Sequence, residues 1–229
     1  MRLLLIGHGR MGQLVERLAS AYDCEIAGVV TSRSGLDGAT HFGHVDVAID
    51  FTQPEAVVGN FRRLAARKVN MVIGTTGWQR DEPALRELAE RDGIGVLAAA
   101  NFSIGMAVFR AVAEEAAQRF AAIADVGAWI HESHHAAKKD APSGTALMLK
   151  AAMEQAGYTR AIDVSSTRAG SIPGTHVVGF DAPAETMTLV HEVRDRSVFA
   201  HGAIQAAKWL NGRRGWFSMQ DMLENLKRG

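Results

Sequence analysis

The segment at residues 131–146, HESHHAAKKDAPSGTA, carries three imidazoles and two ammonium groups. His134 and Lys138 are four residues apart, and both side chains can supply protons in a reaction. Ser143 is a preferred helix N-cap, so Gly144 and Thr145 after it can offer backbone N–H groups to an anion. The pattern indicates a site for a small carboxylate that is protonated during a reaction. The alternative is that SGTA only caps a helix.

The same segment satisfies a second motif, H-E-x-x-H, through His131, Glu132 and His135. In zinc hydrolases this motif places both imidazoles on one face of a helix, with a third ligand elsewhere. Here the motif follows the strand-like run VGAWI and precedes a turn with Pro and Gly, so a helix is not expected. Zinc hydrolysis is therefore kept as an alternative, and the preferred interpretation contains no metal.

A glycine-rich turn, GHGRMG, follows the apolar run RLLLI and precedes an amphipathic stretch. Between a strand and a helix this pattern is typical of a dinucleotide site. Gly7 would permit the tight turn, Gly9 would let the backbone approach a pyrophosphate, and Gly12 would let helix and strand pack closely. The alternative is a turn that merely uses glycines. The predicted cofactor contacts here are Gly7, His8, Gly9, Arg10, Met11 and Gly12.

The end of the second predicted strand carries no carboxylate. NAD sites usually have an acidic residue there, which accepts hydrogen bonds from the ribose hydroxyls. This chain has Thr31, Ser32, Arg33 and Ser34 instead, whose hydroxyls and guanidinium suit a 2′-phosphate. We therefore expect Ser32 and Arg33 to contact the cofactor, and NADPH to be used at least as well as NADH.

Two further loops follow predicted parallel strands and should lie at the same edge of the sheet. Small residues in these loops would let a flat nicotinamide lie against the backbone. The alternative is a pair of ordinary strand ends. The residues predicted to contact the cofactor here are Gly74, Thr75, Thr76, Ala99, Ala100, Asn101 and Phe102.

The composition argues against several classes of function. The 229 residues contain 25 basic and 25 acidic side chains, so no global field attracts nucleic acid or anionic lipid. The single cysteine, Cys24, allows no intrachain disulfide and is expected to be a buried strand thiol. The first residues, MRLLLIGHG, contain too short an apolar run for a signal peptide or a membrane span. A cytoplasmic protein without nucleic-acid or membrane partners is expected.

The alternation of short apolar runs with amphipathic stretches up to about residue 100 predicts a Rossmann-like, doubly wound α/β domain with a parallel sheet. Beyond it the pattern predicts a helix at 104–123, a strand at 126–130, a helix at 144–155, and strands in IDVSSTRAG, THVVGF and ETMTLVHEV. Successive strands indicate a second, α+β domain with a mixed or antiparallel sheet. The predicted dinucleotide-binding domain is 1–102, completed by 197–229, and the predicted substrate-binding and oligomerisation domain is 103–196.

Six motifs occur in order along most of the chain: GHGRMG, AIDFTQPEA, VIGTTGW, AANFSIGM, HHAAKKDAPSGTAL and TRAGSIPGTHVVGF. Together they resemble the dihydrodipicolinate (4-hydroxy-tetrahydrodipicolinate) reductase family of lysine biosynthesis. The resemblance implies an enzyme that uses NADPH or NADH to reduce a cyclic dicarboxylate after loss of water. In that reaction hydride arrives at C4 of the ring and a proton at C3.

The resemblance also implies roles for single residues. His134 would be the acid or base near the substrate ring and Lys138 the proton donor, although the residues alone leave open which one delivers the proton. The substrate carboxylates would be contacted by His135, Gly144 and Thr145. Arg196 resembles a family arginine near the domain hinge and is grouped with the cofactor ligands. The family further implies a homotetramer assembled through the sheet of the second domain.

Two features depart from the family pattern. The acidic ribose ligand of some members is absent, which argues against strict NAD dependence. The stretch between residues 35 and 45 is short, which predicts a dinucleotide domain without the helix often found there. A rival interpretation is a dinucleotide-binding sensor or another two-domain oxidoreductase. Such a protein could dispense with His134, His135, Lys138 and the SGT turn, all of which this chain keeps.

Overall fold

A computed structural model describes residues 1–34 and 42–226 of the chain. The chain divides into two compact units, one of Met1–Ile104 with Ser197–Gly229 and one of Gly105–Arg196. The sequence predicts that the family's helix between residues 35 and 45 is absent. This prediction falls mainly on residues 35–41, which lie outside the described residues. Among the helices that are described, none is both long enough and apolar enough to cross a membrane.

Strands and helices alternate along the first unit and are grouped differently in the second. The strands are β1 (Arg2–Ile6), β2 (Glu25–Val30), β3 (Val47–Asp50), β4 (Asn70–Ile73), β5 (Gly95–Ala98), β6 (Gly127–His134), β7 (Ile162–Arg168), β8 (Thr175–Ala182), β9 (Glu185–Glu192) and β10 (Gly215–Phe217). The α-helices are α1 (Arg10–Ala19), α2 (Pro54–Ala66), α3 (Glu82–Asp92), α4 (Ile104–Ala121), α5 (Gly144–Gln155), α6 (Ser197–Leu210) and α7 (Met219–Leu226).

The first unit contains a six-stranded parallel sheet in the order β10-β5-β4-β3-β1-β2. The predicted apolar runs are buried, including residues 3–6 of β1 and all of β3, because helices cover both faces of the sheet. Helices α2 and α3 pack on one face through side chains such as Phe61, Leu64 and Leu85, and α1 and α6 pack on the other. The predicted Rossmann-like, doubly wound α/β fold is confirmed.

Because the strands of this sheet are all parallel, their carboxyl ends lie at one edge. The loop after β1 holds the GHGRMG turn, and the loop after β2 holds Ser32 and Arg33. The loops after β4 and β5 hold residues 74–77 and 99–102. This edge is where open α/β sheets bind their ligands. The fold therefore brings the predicted dinucleotide loops to one edge.

The second unit contains a mixed sheet in the order β7-β6-β8-β9, in which only the β6–β7 pair is parallel among the described strands. Helices α4 and α5 cover one face, where Phe109 and Leu149 pack on Ile130 and Phe180. The other face carries Val190, which is 60% exposed. The prediction of an α+β unit with a mixed sheet is confirmed.

Strand β6 is longer than the sequence pattern predicts. The pattern ended this strand at Ile130, but the strand continues to His134 because it is paired on both sides. Ser133 pairs with Thr167 of β7 and with Thr175 of β8. Pairing in the sheet overrides the polar composition of this stretch. The first residues of the imidazole-rich segment therefore alternate between the two faces of the sheet.

Candidate active site

The glycine turn after β1 has the geometry that a dinucleotide site requires. Gly7 has a φ of +92°, and a Cβ there would lie 2.4 Å from the carbonyl oxygen of Phe51. A Cβ on Gly12 would lie 2.2 Å from the carbonyl oxygen of Gly7, so helix and turn pack too closely for a side chain. A Cβ on Gly9 would meet none of the described atoms within 4 Å. Gly9 therefore borders open space, from which a ligand can reach the backbone.

Helix α1 begins at Arg10, and its N-cap, Gly9, contributes no side chain. The N–H groups of its first turn have no partner within the helix and form the positive end of the helix dipole. Such a terminus favours a pyrophosphate. Around it, His8 lies 2.7 Å from a carboxylate oxygen of Glu16, Arg10 is exposed, and Met11 is half-buried.

Asp50, at the end of β3, forms hydrogen bonds to the loops after β3 and β4. This role was not predicted from the sequence. The Asp50 carboxylate is fully buried and accepts hydrogen bonds from the Thr52 hydroxyl (2.6 Å), the Thr52 N–H (2.9 Å), the Asn60 amide (3.0 Å) and the Thr75 hydroxyl (3.1 Å). The hydroxyl of Thr75 also accepts from the Thr52 N–H at 2.8 Å. The side chain of Thr75 therefore maintains the loop, whereas its neighbour Thr76 is exposed.

The loops after β4 and β5 pack against the Phe51 ring. A Cβ on Gly74 would lie 2.1 Å from this ring. Phe102 is buried and meets Phe51 edge-on, with ring centroids 6.0 Å apart. Because Gly74 has no side chain and the Phe102 ring points inward, the backbone of these loops stays accessible to a ligand. The remaining predicted residues of this loop are half-buried or exposed: Ala99, Ala100 and Asn101.

Hydroxyl groups form the turn after β2. Ser34 Oγ accepts a hydrogen bond from the Thr31 N–H at 2.9 Å, and Thr31 Oγ1 accepts one from the Arg33 N–H at 3.3 Å. The side chains of Ser32 and Arg33 are exposed. The turn thus presents a guanidinium and a hydroxyl where many NAD sites present a carboxylate.

Glu132 is the central group of the second unit, and its side chain is fully buried. Arg168 donates to both carboxylate oxygens, at 2.6 Å to Oε1 and 2.9 Å to Oε2. The N–H of Ser143 donates to Oε1 at 3.1 Å, and Nδ1 of His134 contacts Oε2. Burial alone would raise the pKa of Glu132, but the hydrogen bonds that it accepts hold this pKa at about 2. The group is therefore ionised at neutral pH.

His134 lies on the same face of β6, two residues after Glu132. Burial lowers the pKa of His134 below 6.5, even though the charge of Glu132 raises it, so the imidazole is neutral at pH 7. Because a carboxylate only accepts, the ring hydrogen lies on Nδ1 and the lone pair on Nε2. Nε2 faces Gly174, where a Cβ would lie 3.1 Å away. The arrangement makes Nε2 a base at neutral pH.

His176 also lines this face and was not predicted. It pairs with Glu132 in the β6–β8 register, is 3% exposed, and its ring meets that of His134 edge-on at a centroid distance of 5.2 Å. Its Nε2 lies 3.2 Å from the Ser143 hydroxyl. Burial lowers the pKa of His176 to about 4. Ser143 also caps α5, since its hydroxyl accepts from the Ala146 N–H at 3.2 Å, which is the capped helix start that the sequence predicts.

A neighbouring carboxylate holds Lys138. Nζ donates to the two oxygens of Asp140 at 2.6 and 2.9 Å, and this contact lowers the pKa of Asp140. The carbonyl oxygen of Asp140 accepts from Arg168 at 2.6 Å, which links the loop to Glu132. The other predicted residues of this unit are half-buried or exposed: His135, Gly144, Thr145 and, at its last position, Arg196.

The zinc-hydrolase alternative requires a helix that this segment does not form. The motif lies on β6 as far as His134, so His131 and Glu132 point to opposite faces. His131 lies 2.8 Å from the Ser165 hydroxyl and 3.3 Å from that of Thr167. Within the described part of the chain, no group of three potential metal ligands is found.

Four residues of the candidate site were not predicted, namely Asp50, Asp140, Arg168 and His176, and a fifth, Glu132, was named only as part of the zinc motif. Period-2 alternation is the signal that could have found two of them. Ala128 and Ile130 are buried positions of β6, and continuing the same face gives Glu132. In β8 the buried positions Phe180 and Val178 lead in the same way to His176.

Comparison with known proteins covers almost the whole chain. The family models "Dihydrodipicolinate reductase, N-terminus" and "Dihydrodipicolinate reductase, C-terminus" match residues 1–102 and 105–223. A 4-hydroxy-tetrahydrodipicolinate reductase of Stenotrophomonas maltophilia (strain K279a) is 40% identical over 98% of each chain, and one of Christiangramia forsetii is 32% identical over 99% of each.

A solved structure, dipicolinate-bound dihydrodipicolinate reductase from Paenisporosarcina sp. TG-14, has the same fold. It aligns over 95% of this chain and 97% of its own, with a TM-score of 0.80 and 23% identity. The chain therefore belongs to the dihydrodipicolinate reductase family and is an oxidoreductase with a dinucleotide-binding fold.

Proposed function

We propose that this chain catalyses the NAD(P)H-dependent reduction of 4-hydroxy-tetrahydrodipicolinate to tetrahydrodipicolinate in diaminopimelate and lysine biosynthesis. The observation that carries the proposal is the charge and the hydrogen-bond partner of His134 and of Lys138. The first is a neutral imidazole held by a buried carboxylate, and the second is an ammonium whose partner, Asp140, is exposed. The match to relatives of this name over the length of the chain supports the same reaction.

The two substrate carboxylates are bound by His135, Gly144 and Thr145. A Cβ on Gly144 would meet no described atom within 4 Å, so the start of α5 is open. The N–H group of Gly144 hydrogen bonds to the Asp140 carboxylate, and that of Thr145 has no partner within the helix. The helix dipole favours an anion at this position. The Paenisporosarcina reductase, which is described as bound to dipicolinate, supports a ligand of this kind.

The cofactor is NADPH or NADH, and when bound it supplies hydride to C4 of the substrate ring. The residues present fit it, because Gly9 leaves a space that a Cβ would fill and the first turn of α1 offers free N–H groups to the pyrophosphate. The exposed Ser32 and Arg33 receive the ribose end, where the guanidinium favours a 2′-phosphate. The backbones of residues 74–76 and 99–102 hold the rest of the dinucleotide, and Arg196 is assigned to the same ligand.

The chain's own residues position the substrate and transfer protons. Lys138 donates the proton that C3 receives, because its ammonium group carries three N–H donors and Asp140 holds it in place. Nε2 of His134 carries a lone pair at neutral pH and therefore acts first, as the base in the loss of water that precedes hydride transfer. The positive charge of Lys138 also stabilises electron density that builds up on the ring.

A coupled assay tests this proposal directly. Enzymatically generated substrate is supplied with each cofactor in turn, and nicotinamide absorbance is followed. His134→Ala and Lys138→Ala should each lower kcat by about 100- to 10,000-fold and leave the cofactor Kd near its original value. Lys139→Ala, at the exposed neighbouring lysine, is the matched control and should be near normal. Near-normal turnover in both test variants would contradict the assignment, and activity on other substrates alone would support the rival oxidoreductase.

We also propose that the first unit binds the dinucleotide, and that the second binds substrate and forms a homotetramer in the cytoplasm. The open face of the second sheet carries Trp129, Val177 and Val190, and an exposed apolar patch of this kind favours association. Light scattering should give four times the 24.6 kDa chain mass, and Val190→Glu should lower it. A monomeric wild-type protein would contradict the assembly.

A further inference from the structure

Glu132 is a buried carboxylate whose part in the reaction is not yet assigned. The preceding positions of the same face, Ala128 and Ile130, are buried and apolar. A residue of that kind at position 132 would continue the core, whereas a buried carboxylate costs free energy unless it is paired and hydrogen-bonded. The groups that it contacts therefore indicate what it does.

The register of the sheet fixes the carboxylate in one orientation. His134 pairs with Arg168 in the β6–β7 ladder, so the guanidinium reaches Glu132 from the adjacent strand. The guanidinium is held in turn by the carbonyl oxygens of Thr167 (2.8 Å) and Asp140 (2.6 Å). With Ser143 on Oε1 and His134 on Oε2, each carboxylate oxygen receives two donors. The carboxylate therefore cannot rotate without breaking hydrogen bonds.

We propose that Glu132, clamped by Arg168, is a positioning residue that fixes the tautomer and ring orientation of His134. The carboxylate accepts the Nδ1 hydrogen and leaves Nε2 as the nitrogen that exchanges a proton, facing Gly174, which has no side chain. Without this acceptor the ring could carry its hydrogen on either nitrogen and could rotate. The inference rests on the proposed role of His134 as acid or base.

The variant Glu132→Gln removes the charge but keeps the shape. Its amide can turn an NH₂ group toward Nδ1, which would move the ring hydrogen to Nε2. The kcat should fall by about tenfold or more, as when other carboxylates that orient a histidine are replaced. The cofactor Kd should be unchanged. Ser165→Ala, on the opposite face of the sheet, is the control and should keep the original kcat.

The pH profile separates positioning from a merely structural role. The charged and titratable groups that face His134 are Glu132 on its own strand, Arg168 on β7, His176 on β8 and Lys138 in the following loop. Glu132 raises the pKa of His134 and Arg168 lowers it. The limb of the kcat profile that belongs to His134 should therefore move to lower pH in Glu132→Gln and to higher pH in Arg168→Gln. Structural damage alone would not move it in opposite directions.

Nitrogen NMR of the unsubstituted enzyme gives a test that does not depend on the folding of a Glu132 variant. With ¹⁵N-labelled histidine, the ring nitrogen shifts distinguish the two neutral tautomers. Above its pKa, His134 should be the Nδ1–H form, and the signal is assigned by its loss in His134→Gln. An Nε2–H form in the wild-type enzyme would overturn the proposal.

The outcomes separate this inference from the proposed function. If Glu132→Gln keeps its kcat and pH profile while His134→Ala loses turnover, Glu132 does not position the imidazole and the role of His134 stands. If His134→Ala keeps its turnover, the role of His134 fails and the inference fails with it. A fall in kcat with the same limb position in both Glu132→Gln and Arg168→Gln would also overturn it. Glu132→Asp, which retains the charge, should return the limb toward its wild-type position.

Discussion

The two units offer their ligands different kinds of groups. The turn after β1 offers main-chain N–H groups and close approach at Gly9, with Gly7 and Gly12 leaving no room for side chains. The second unit offers ionisable side chains, grouped around the buried Glu132. Main-chain groups do not titrate, whereas side chains respond to pH and to one another. The turn should therefore be sensitive to shape and the second unit to protons.

The largest effect expected from this difference is acid destabilisation of the second unit. The pKa of His176 is about 4 in the folded chain against 6.5 when unperturbed, so the unfolded chain binds more protons between these values. Stability is therefore lost as the pH falls from 6.5 to about 4. For Glu132, with a pKa of about 2 against 4.5, stability is present above pH 4.5 and lost toward pH 2. Each step is worth about 3 kcal/mol by linkage.

Urea unfolding between pH 7 and pH 3 measures the first of these steps. His176→Asn should reduce the loss of stability that begins near pH 6.5, whereas His44→Asn, at a histidine whose side chain is 76% exposed, should leave that loss unchanged. A free energy of unfolding that stays constant in the wild-type protein between pH 6.5 and 4.5 would show that the second unit is not proton-sensitive in this way.

A second effect, on shape, should be confined to the first unit. Gly12→Ala puts a Cβ 2.2 Å from a carbonyl oxygen, and such overpacking should cost about 1–3 kcal/mol of stability and weaken cofactor binding. Gly9→Ala meets no described atom within 4 Å, so its loss of stability should stay below about 1 kcal/mol. Its cofactor Kd should nevertheless rise. Thermal unfolding and cofactor titration of both variants measure the difference, and equal losses of stability would remove the distinction.

What the sequence could predict follows the same division. The three glycines of the turn after β1 are close together in the chain, and their context between a strand and a helix is also local, so a short motif encodes the turn. The start of α5 was predicted for the same reason, since Ser143 caps it from the adjacent position. Arg168 and Glu132, in contrast, are separated by 36 residues, and only the β6–β7 register brings them together.

The end of β6 was mispredicted for a related physical reason. Residues 131–134 are polar, and polar composition ordinarily ends a buried strand, but pairing with β7 and β8 continues it. That pairing places Glu132 and His134 on one face and His131 on the other. The five residues 131–135 on a helix would have placed His131 and His135 together, as the H-E-x-x-H motif requires. The sequence therefore predicted which kinds of reactive group the segment contains. Strand pairing in the sheet determined which of these groups lie on the same face.

A third prediction concerns the side chain by which the first unit is expected to recognise its cofactor. Arg33 is exposed in the turn after β2, and a contact to a 2′-phosphate is charge-assisted. Arg33→Ala should raise the Kd for NADPH by about tenfold, or about 1.4 kcal/mol, and should change the Kd for NADH little. Titration of each cofactor measures both values. A clear preference for NADH in the wild-type protein that persists in Arg33→Ala would count against this role and for recognition by the backbone alone.

The smallest expected effect concerns the exposed ion pair of the second unit. Lys138 and Asp140 pair at 2.6 Å, and the side chain of Asp140 is 56% exposed, so Asp140→Asn should change stability by less than about 1 kcal/mol. Because the pKa of Asp140 is lowered, even this contribution is present at neutral pH and lost as the pH falls. Asp140 also competes with the substrate for the ammonium, so Asp140→Asn should lower the substrate KM. Asp163→Asn, at an exposed aspartate of β7, should leave the KM unchanged. A raised KM in Asp140→Asn would show instead that this carboxylate orients Lys138 toward the substrate, as Glu132 is proposed to orient His134.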